Sequence, residues 1–442
     1  MNDKLQGFVE ANSNGDVWVG QEEDELRSGD GLSEMLAAEI IDRMGSLGLP
    51  PERGIEYVTV GLADVLQILD ERYLKVMRHG GRGSAFKLIK GSFGSGKTHF
   101  LTCLRNLAWK RGFLTATVEL SLKGCTFGDA GAIYKALAHE LIDPSAGGDD
   151  NEGVQGLGNI LRFWAYGVEE PSLRKSWLNK FKASNISNNS YKSVFIHFIR
   201  SLWQEDDDTA EACEMWLLGN PIKKLKLGLI TISECICERN ASSMLYSLVQ
   251  ILLLCGYPGV VAMFDEVDRV ASGSRREKKC VVDNMRQFVD MCGSQRYPGV
   301  FWAFAVPPEF ISDVVAEYPA LQQRLNSPMP FSAASPQVPT IDAAGSSLEP
   351  TTFFNELGRK ILKVASVAWN WDYDRAIQSE NLRNLVSSYL AANFDAGQRR
   401  NFVKQWIAVL QAEHINGQGT TDLDVVGRAD GSDMEMEEFA DF

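Results

Sequence analysis

The sequence GSFGSGKT at residues 91–98 constrains the fold of this chain more than any other feature. It satisfies the pattern G-x-x-x-x-G-K-[ST], in which glycines let backbone N–H groups turn inward on a polyphosphate. The run AFKLIK before it (residues 85–90) is typical of a strand. The pattern after it is typical of a helix, whose N-terminus adds a partial positive charge. A chance glycine-rich turn would lack both neighbours, so the pattern predicts a phosphate-binding loop in an α/β protein.

The residues of this loop have expected roles toward ATP and Mg²⁺, the two cofactors that the motif predicts. Lys97 is expected to pair with the β- and γ-phosphates during catalysis, and Thr98 to give its hydroxyl to Mg²⁺. His99 follows inside the helix and is more typical of a packing residue than of a catalytic one. The residues expected to contact the nucleotide are Gly91, Ser92, Phe93, Gly94, Ser95, Gly96, Lys97, Thr98 and His99.

A second motif, GVVAMFDEVDR at residues 259–269, places two carboxylates directly after an apolar run. A buried strand that ends in an acid is where an α/β sheet places its chemistry. Asp265 is therefore the expected Mg²⁺ ligand, directly or through water, and Glu266 the expected base that polarises the attacking water. Alone, such a run would more often end in a solvated loop. Downstream of a phosphate-binding loop, it predicts a metal and catalytic site.

Composition narrows the class of protein further. A net charge of −14 over 442 residues gives no sign of a broad basic face, so contact with DNA would need a local patch. The longest apolar run (residues 300–306) is too short to cross a bilayer, and the N-terminus has no secretory pattern. The eight cysteines include one close pair, Cys235 and Cys237, with no partner at zinc spacing. We therefore expect a cytoplasmic protein with no membrane partner.

The order strand, phosphate loop, helix, strand predicts a P-loop fold with a parallel sheet. Between residues 145 and 240 the pattern is helical and rich in Trp and Phe, and no strand is expected there. Three helical patterns follow the second motif. The expected organisation is a flexible acidic arm (1–31), a P-loop core with lead-in helices (32–144 and 241–345), a helical insertion (145–240), a C-terminal helical lid (346–415) and an acidic disordered tail (416–442).

Several stretches together resemble one known family: LGLPPERGIEYVTVG at 47–61, the loop region at 87–121, GVVAMFDEVDRV at 259–270 and AVPPEF at 305–310. They are similar to the ATP-binding proteins of BREX bacteriophage-exclusion systems, the BrxC/BrxD family, over about residues 47–410. The lead-in PPERG is the most specific piece, and the short length is more like BrxD. The resemblance implies an AAA+ type ATPase related to replication-initiator ATPases, with a sheet domain and a helical lid.

The resemblance also implies three further sites. The family places a polar sensor residue after the strand at 300–306, but Pro307 occupies that position here and offers no side-chain hydrogen bond. The segment YPALQQRL (318–325) resembles the one that presents an arginine to a neighbouring subunit's nucleotide, which makes Arg324 the candidate. Arg400, in GQRR (397–400), is the candidate second sensor. The alternatives are a surface arginine at 324 and a solvated helix start at 400.

These features imply an ATPase that remodels or loads partners in an anti-phage complex acting on DNA. Partners or DNA would stimulate its turnover, a helicase is one candidate partner, and a nucleotide-dependent homo-oligomer is expected. The competing hypothesis is a nucleotide-gated assembly module with slow or no turnover, which Pro307 favours and the pair Asp265–Glu266 disfavours. A stand-alone DNA-binding initiator is disfavoured by the net charge.

Two charged segments have an open interpretation. The basic run SRREKK (274–279) would face DNA or a partner, although a solvated helix start is the more ordinary reading. The acidic end DMEMEEFADF (433–442) would recruit a partner through Phe439 and Phe442, with a solubilising tail as the plainer alternative.

Overall fold

The computed structural model describes residues 31–79, 83–120, 128–146, 153–222, 224–267, 274–293, 298–343, 348–391 and 398–417. These residues form two compact units. The first contains residues 63–92 and 100–343, and the second contains residues 31–62, 93–99 and 348–417. The expected acidic arm and almost all of the expected acidic tail lie outside the described residues, as do Asp268, Phe439 and Phe442.

Within the described part of the first unit, seven strands form one sheet in the order β4-β3-β2-β7-β8-β1-β9. The strands of the chain are β1 (Ala85–Lys90), β2 (Leu114–Glu119), β3 (Leu141–Asp143), β4 (Val154–Gln155), β5 (Leu225–Leu227), β6 (Ile230–Ile232), β7 (Val260–Asp265), β8 (Val300–Val306) and β9 (Thr340–Asp342). Parallel pairing joins β2, β7, β8, β1 and β9, whereas β3 and β4 pair antiparallel at one edge. The predicted α/β fold with a mainly parallel sheet is confirmed.

Helices surround this sheet and build the second unit. In chain order they are α1 (Glu34–Leu47), α2 (Ala63–Leu69), α3 (Lys75–Arg78), α4 (Lys97–Lys110), α5 (Ala130–Glu140), α6 (Leu157–Tyr166), α7 (Pro171–Ala183), α8 (Asn189–Gln204), α9 (Asp207–Leu217), α10 (Ala241–Leu254), α11 (Arg275–Gly293), α12 (Pro319–Leu325), α13 (Pro350–Ala368), α14 (Arg375–Ala391) and α15 (Gln398–Asn416). None of the helices in the described ranges is long and apolar enough to cross a membrane.

The two central strands β7 and β8 are buried along their whole length. Strands covered on both faces read as continuous apolar runs, which is why VVAMF and VFWAFAV were visible in the sequence. The rings of Phe264 and Phe304 stack with their centroids 4.6 Å apart across the two strands. Each fully buried large apolar side chain stabilises the fold by about 1.5–3 kcal/mol. These strands therefore provide a rigid base for the residues at their carboxyl ends.

The structure departs from the sequence prediction between residues 145 and 240, where no strand was expected. The two-residue strand β4 extends the edge of the main sheet, and β5 and β6 form a separate hairpin. Gly228 has φ +60 at the hairpin turn, a backbone conformation that glycine adopts without steric cost. Strands of two or three residues are too short to show an alternating apolar pattern, so the sequence could not indicate them.

The lead-in helix α1 belongs to the second unit, although the sequence analysis assigned residues 32–62 to the P-loop core. It begins at Ser33, whose side chain accepts a hydrogen bond from the Leu36 N–H at 3.2 Å, and it ends at Gly48 with φ +62. Its apolar face packs in one cluster with side chains of α13, α14 and α15, and that shared core explains the grouping. The apolar residues of α1 in this cluster are Ala37, Ile40, Ile41 and Met44.

The PPERG segment after α1 is held by backbone shape and by paired charges. Arg43 donates from Nε to the Pro50 carbonyl at 2.8 Å and pairs with Glu52 at 2.5 Å. Gly54 has φ +69, and a Cβ there would lie 2.8 Å from a methyl carbon of Ile40. This position therefore requires glycine on two counts. This segment is therefore an ordered turn that packs on α1.

Candidate nucleotide-binding site

The phosphate-loop motif directly follows the central strand β1, as its sequence context predicted. The Gly91 N–H donates to the Val306 carbonyl at 3.0 Å, which continues the pairing of β1 and β8 by one residue. Gly94 and Gly96 then have φ +75 and φ +99. Because side chains disfavour these angles, the backbone turns here only because both residues are glycine. α4 begins at Lys97.

The residues of the loop fit a polyphosphate. Ser95 is buried, and its Oγ has no hydrogen-bond partner among the described residues. The first turn of α4 contains no acidic residue that would compete with an anion. The first N–H groups of a helix lack intrahelical partners and attract negative charge. Lys97 is half-buried and Thr98 is exposed, so a ligand could reach both side chains.

Asp265 and Glu266 lie at the carboxyl end of β7, which is separated from β1 only by β8. The Asp265 side chain is buried, and its Oδ1 accepts a hydrogen bond from the Glu266 N–H at 2.8 Å. Glu266 has φ +58, one of three residues other than glycine with positive φ in the described ranges. This angle is uncommon for a residue with a side chain and marks local strain.

Pro307 directly follows β8, at the position where the family resemblance places a polar sensor. It is buried, and its carbonyl accepts a hydrogen bond from the Phe310 N–H at 3.1 Å. A proline side chain neither donates nor accepts hydrogen bonds. Between β7 and β1, the sheet therefore presents an apolar ring at this end of β8.

Two adjacent arginines at the start of α15 reach loop residues of the same compact unit. Arg399 Nη1 donates to the Ser95 carbonyl at 2.8 Å, and its guanidinium carbon lies 4.2 Å from the centre of the Phe353 ring. The Arg400 guanidinium carbon lies 5.4 Å from the centre of the exposed Phe93 ring. The family resemblance favoured Arg400, whereas the hydrogen bond to the loop comes from Arg399. Neighbouring residues on a helix point about 100° apart, so the motif GQRR alone could not tell which of the two donates a hydrogen bond to the loop.

His99 is held by a group that the sequence analysis did not select. Its Nε2 lies 3.0 Å from Thr59 Oγ1, and Thr59 in turn receives a hydrogen bond from Lys360 Nζ to its backbone carbonyl at 2.7 Å. Burial, together with the positive charges of Arg399 and Lys360, lowers the pKa of His99 from 6.5 to about 4. The imidazole is therefore neutral at pH 7. No pattern in the sequence could link residues so far apart along the chain.

Arg324 lies on α12 and forms an ion pair within its own chain. Its Nε and Nη2 both donate to the Asp290 carboxylate on α11, the second at 3.1 Å, and its Nη1 donates to the Ala320 carbonyl. Asp290 also lies 3.6 Å from Arg286 Nε. A bidentate pair of this kind fixes the direction of a guanidinium. Arg324 is therefore directed at α11 in this conformation.

A glycine-rich loop between a central parallel strand and a helix, together with a buried acid at the end of a nearby strand, defines the P-loop NTPase fold. The family model of the BREX system ATP-binding protein BrxC/D matches residues 32–424. The chain belongs to this family, which confirms the resemblance found in its sequence. It is thus an ATP-binding protein of the BREX defence system, and membership implies partners from that system. Searches of curated proteins and of solved structures gave no match.

Proposed function

We propose that the protein hydrolyses ATP with Mg²⁺ and uses this turnover to remodel or load partners of a defence complex that acts on DNA. The observation that carries the proposal is the geometry at the end of β7. Glu266 has φ +58 next to the buried carboxylate of Asp265. The left-handed region costs an ordinary residue about 1–2 kcal/mol, and strain of this kind clusters at functional sites. A carboxylate at such a strained position favours a chemical role over a solvated loop.

Each loop and strand-end residue has a defined task in this proposal. The backbone N–H groups of residues 92–96 and the Lys97 ammonium hold the phosphates, while the Thr98 hydroxyl and the Asp265 carboxylate hold the metal. The Glu266 carboxylate orients the attacking water and accepts its proton. When bound, ATP and Mg²⁺ supply the transferable phosphoryl group and the charge that offsets the phosphates. Arg399 holds the loop at Ser95, and Arg400 is the second arginine available at the start of α15.

Oligomer formation is a separate part of the proposal. In AAA+ type ATPases, which the family resembles, an arginine of one subunit completes the nucleotide site of the next. Arg324 is the candidate for this role, and its pair with Asp290 would have to open first. Partners or DNA that favour the open state would then stimulate turnover, as the family resemblance implies.

The second candidate function is a nucleotide-gated assembly module, in which bound ATP orders a complex without being hydrolysed. The buried ring of Pro307 favours this alternative, because it removes a polar group from the strand end between β7 and β1. Asp265 and Glu266 weigh against it, because a module that only binds ATP does not need a base.

Three proteins separate these functions: the parent chain, Lys97→Ala and Glu266→Gln. ATP binding and phosphate release are measured with and without DNA and the other proteins of the defence system. We expect the parent to bind and hydrolyse ATP, Lys97→Ala to lose both activities, and Glu266→Gln to bind ATP without turnover. Hydrolysis by Glu266→Gln at the parent rate would remove Glu266 from the mechanism. A parent that binds ATP but never hydrolyses it would establish the assembly module instead.

A further inference from the structure

The first turn of α4 carries three consecutive side chains that face different directions. Lys97, Thr98 and His99 are successive residues, and successive residues on an α-helix are rotated by about 100°. Lys97 and His99 therefore point to nearly opposite sides of the helix axis, with Thr98 between them. A group that fixes the direction of His99 consequently fixes the rotation of this turn, and with it the directions of Lys97 and Thr98.

Thr59 is such a group, and the pattern of its hydrogen bonds defines how it holds His99. Its hydroxyl donates to the Ile55 carbonyl at 2.7 Å, and the same oxygen lies 3.0 Å from His99 Nε2. A hydroxyl has a single hydrogen, so its oxygen acts as the acceptor toward the imidazole. His99 therefore carries its proton on Nε2.

Thr59 is itself held by two further hydrogen bonds. It is buried, and Lys360 on α13 donates to its backbone carbonyl at 2.7 Å. Its hydroxyl bond to Ile55 closes a turn in the lead-in segment that follows PPERG. The position of Thr59 is thus set by α13 and by the lead-in segment. Through one hydrogen bond, Thr59 in turn fixes the direction of the His99 ring.

We propose that Thr59 and His99 are positioning residues of the nucleotide site, which hold the first turn of α4 so that Lys97 and Thr98 face the phosphates and the metal. The proposal rests on the proposed function, because it requires Lys97 and Thr98 to bind the ligand. Neither Thr59 nor His99 needs to touch the nucleotide. A rotated first turn would displace the Thr98 hydroxyl from the metal. The affinity for ATP with Mg²⁺ therefore distinguishes a positioning role from a purely structural one.

The test uses paired variants of the full chain and a fluorescent ATP analogue, whose Kd is measured with Mg²⁺ and with a chelator. Thr59→Val keeps the shape of the side chain and removes the hydroxyl, whereas Thr59→Ser keeps the hydroxyl. We expect Thr59→Val to weaken binding with Mg²⁺ by about fivefold, the effect of losing one neutral hydrogen bond. Binding without Mg²⁺ should change less, and Thr59→Ser should bind like the parent.

A second pair and a matched control protect the test from effects on stability. His99→Gln keeps a donor at the end of its side chain and should retain more Mg²⁺-dependent affinity than His99→Leu. Tyr373→Phe removes another buried hydrogen bond of the same compact unit, the one from the Tyr373 hydroxyl to the Leu410 carbonyl at 2.8 Å. This control should lower the Tm and leave both Kd values unchanged.

The outcomes distinguish failure of this proposal from failure of the proposed function. If Thr59→Val, or His99→Leu where Thr59→Val does not fold, binds the Mg²⁺ complex as tightly as the parent, the positioning role is overturned. Lys97→Ala is measured alongside. If Lys97→Ala also binds like the parent, the phosphate-loop assignment itself is wrong. If only Lys97→Ala loses binding, the proposed function stands and the role of Thr59 and His99 does not.

Discussion

Arg399 donates from Nη1 to the backbone carbonyl of Ser95 at 2.8 Å, one residue before Gly96, the third glycine of the phosphate loop. The acceptor is a backbone carbonyl, so the guanidinium holds the backbone of the loop. The side chain of Ser95 is buried. A hydrogen bond with a charged partner contributes about 1.5–3 kcal/mol. The start of α15 thereby stabilises the conformation of the loop. This effect is separate from any attraction between the positive charge of Arg399 and the phosphates.

The two adjacent arginines should differ in their effect on ATP binding. Arg399→Ala removes the bond to the Ser95 carbonyl, so we expect ATP affinity to fall by about tenfold, the equivalent of 1.4 kcal/mol. Arg400→Ala removes the contact with the exposed ring of Phe93 and should cost about threefold or less, as expected for an exposed cation–π contact. Titration with a fluorescent ATP analogue measures both. The reverse order would restore Arg400 as the more important residue.

Backbone strain at Glu266 can be measured with two variants that both lack the carboxylate. Glycine adopts φ +58 freely, whereas alanine keeps the steric penalty of its Cβ. We expect Glu266→Gly to be more stable than Glu266→Ala by about 0.5–1 kcal/mol. This difference is the steric cost that alanine pays in the folded chain, less the entropic cost of ordering glycine from the unfolded chain. Chemical denaturation of the two variants gives this difference. Equal stabilities would mean that position 266 is not strained, and neither variant should hydrolyse ATP.

The phosphate loop and the acid at the end of β7 could be predicted because each depends on neighbours in the sequence. The glycine spacing and the apolar run before Asp265 are local patterns, and parallel pairing carries both to the same edge of the sheet. The partners of these residues could not be predicted. Thr59 and Lys360 meet across 301 positions of the chain, and only packing in the second unit brings them together.

The burial and the hydrogen-bond partners of Lys87 in the sheet could not be predicted from the sequence either. Its place in the run AFKLIK indicates a side chain in water, yet it is buried, and its Nζ donates to the Pro336 and Val338 carbonyls at 2.7 Å. Burial lowers the pKa of Lys87 to about 7. The carbonyls that accept its hydrogen bonds follow α12 by more than ten residues, and nothing in the local sequence indicates that this segment crosses β1.

The role of Arg324 between subunits can be tested by mixing two inactive variants. Arg324→Ala keeps a complete nucleotide site and lacks the arginine, whereas Lys97→Ala keeps the arginine and lacks the site. If Arg324 acts on the neighbouring subunit, each variant should be inactive alone and the mixture should recover part of the parent turnover. Asp290→Asn removes the charge that pairs with Arg324 in its own chain and should preserve or raise turnover. A mixture without activity would place Arg324 in a role within its own subunit.

The neutral state of His99 should make stability depend on pH. The pKa of His99 is lowered from 6.5 to about 4 by burial, with Arg399 and Lys360 acting in the same direction. Below pH 6.5 the unfolded chain therefore binds a proton that the folded chain does not. The associated stability is fully present above pH 6.5 and is lost as the pH falls toward 4. Glutamine at position 99 does not titrate, so His99→Gln lacks this component.

We expect the stability of the parent relative to His99→Gln to fall by roughly 2 kcal/mol between pH 7.5 and pH 5, because this pH range covers about 1.5 of the pKa units between 6.5 and about 4. Urea denaturation of both proteins at several pH values measures the difference, in which the contribution of every other titrating group cancels. Tyr373→Phe serves as the control, since its stability should fall in parallel with that of the parent. If parent and His99→Gln lose stability equally, His99 is protonated without penalty in the folded chain. In that case the Nε2–H bond to Thr59 would persist in the imidazolium form, and the nearby cations would not control its charge.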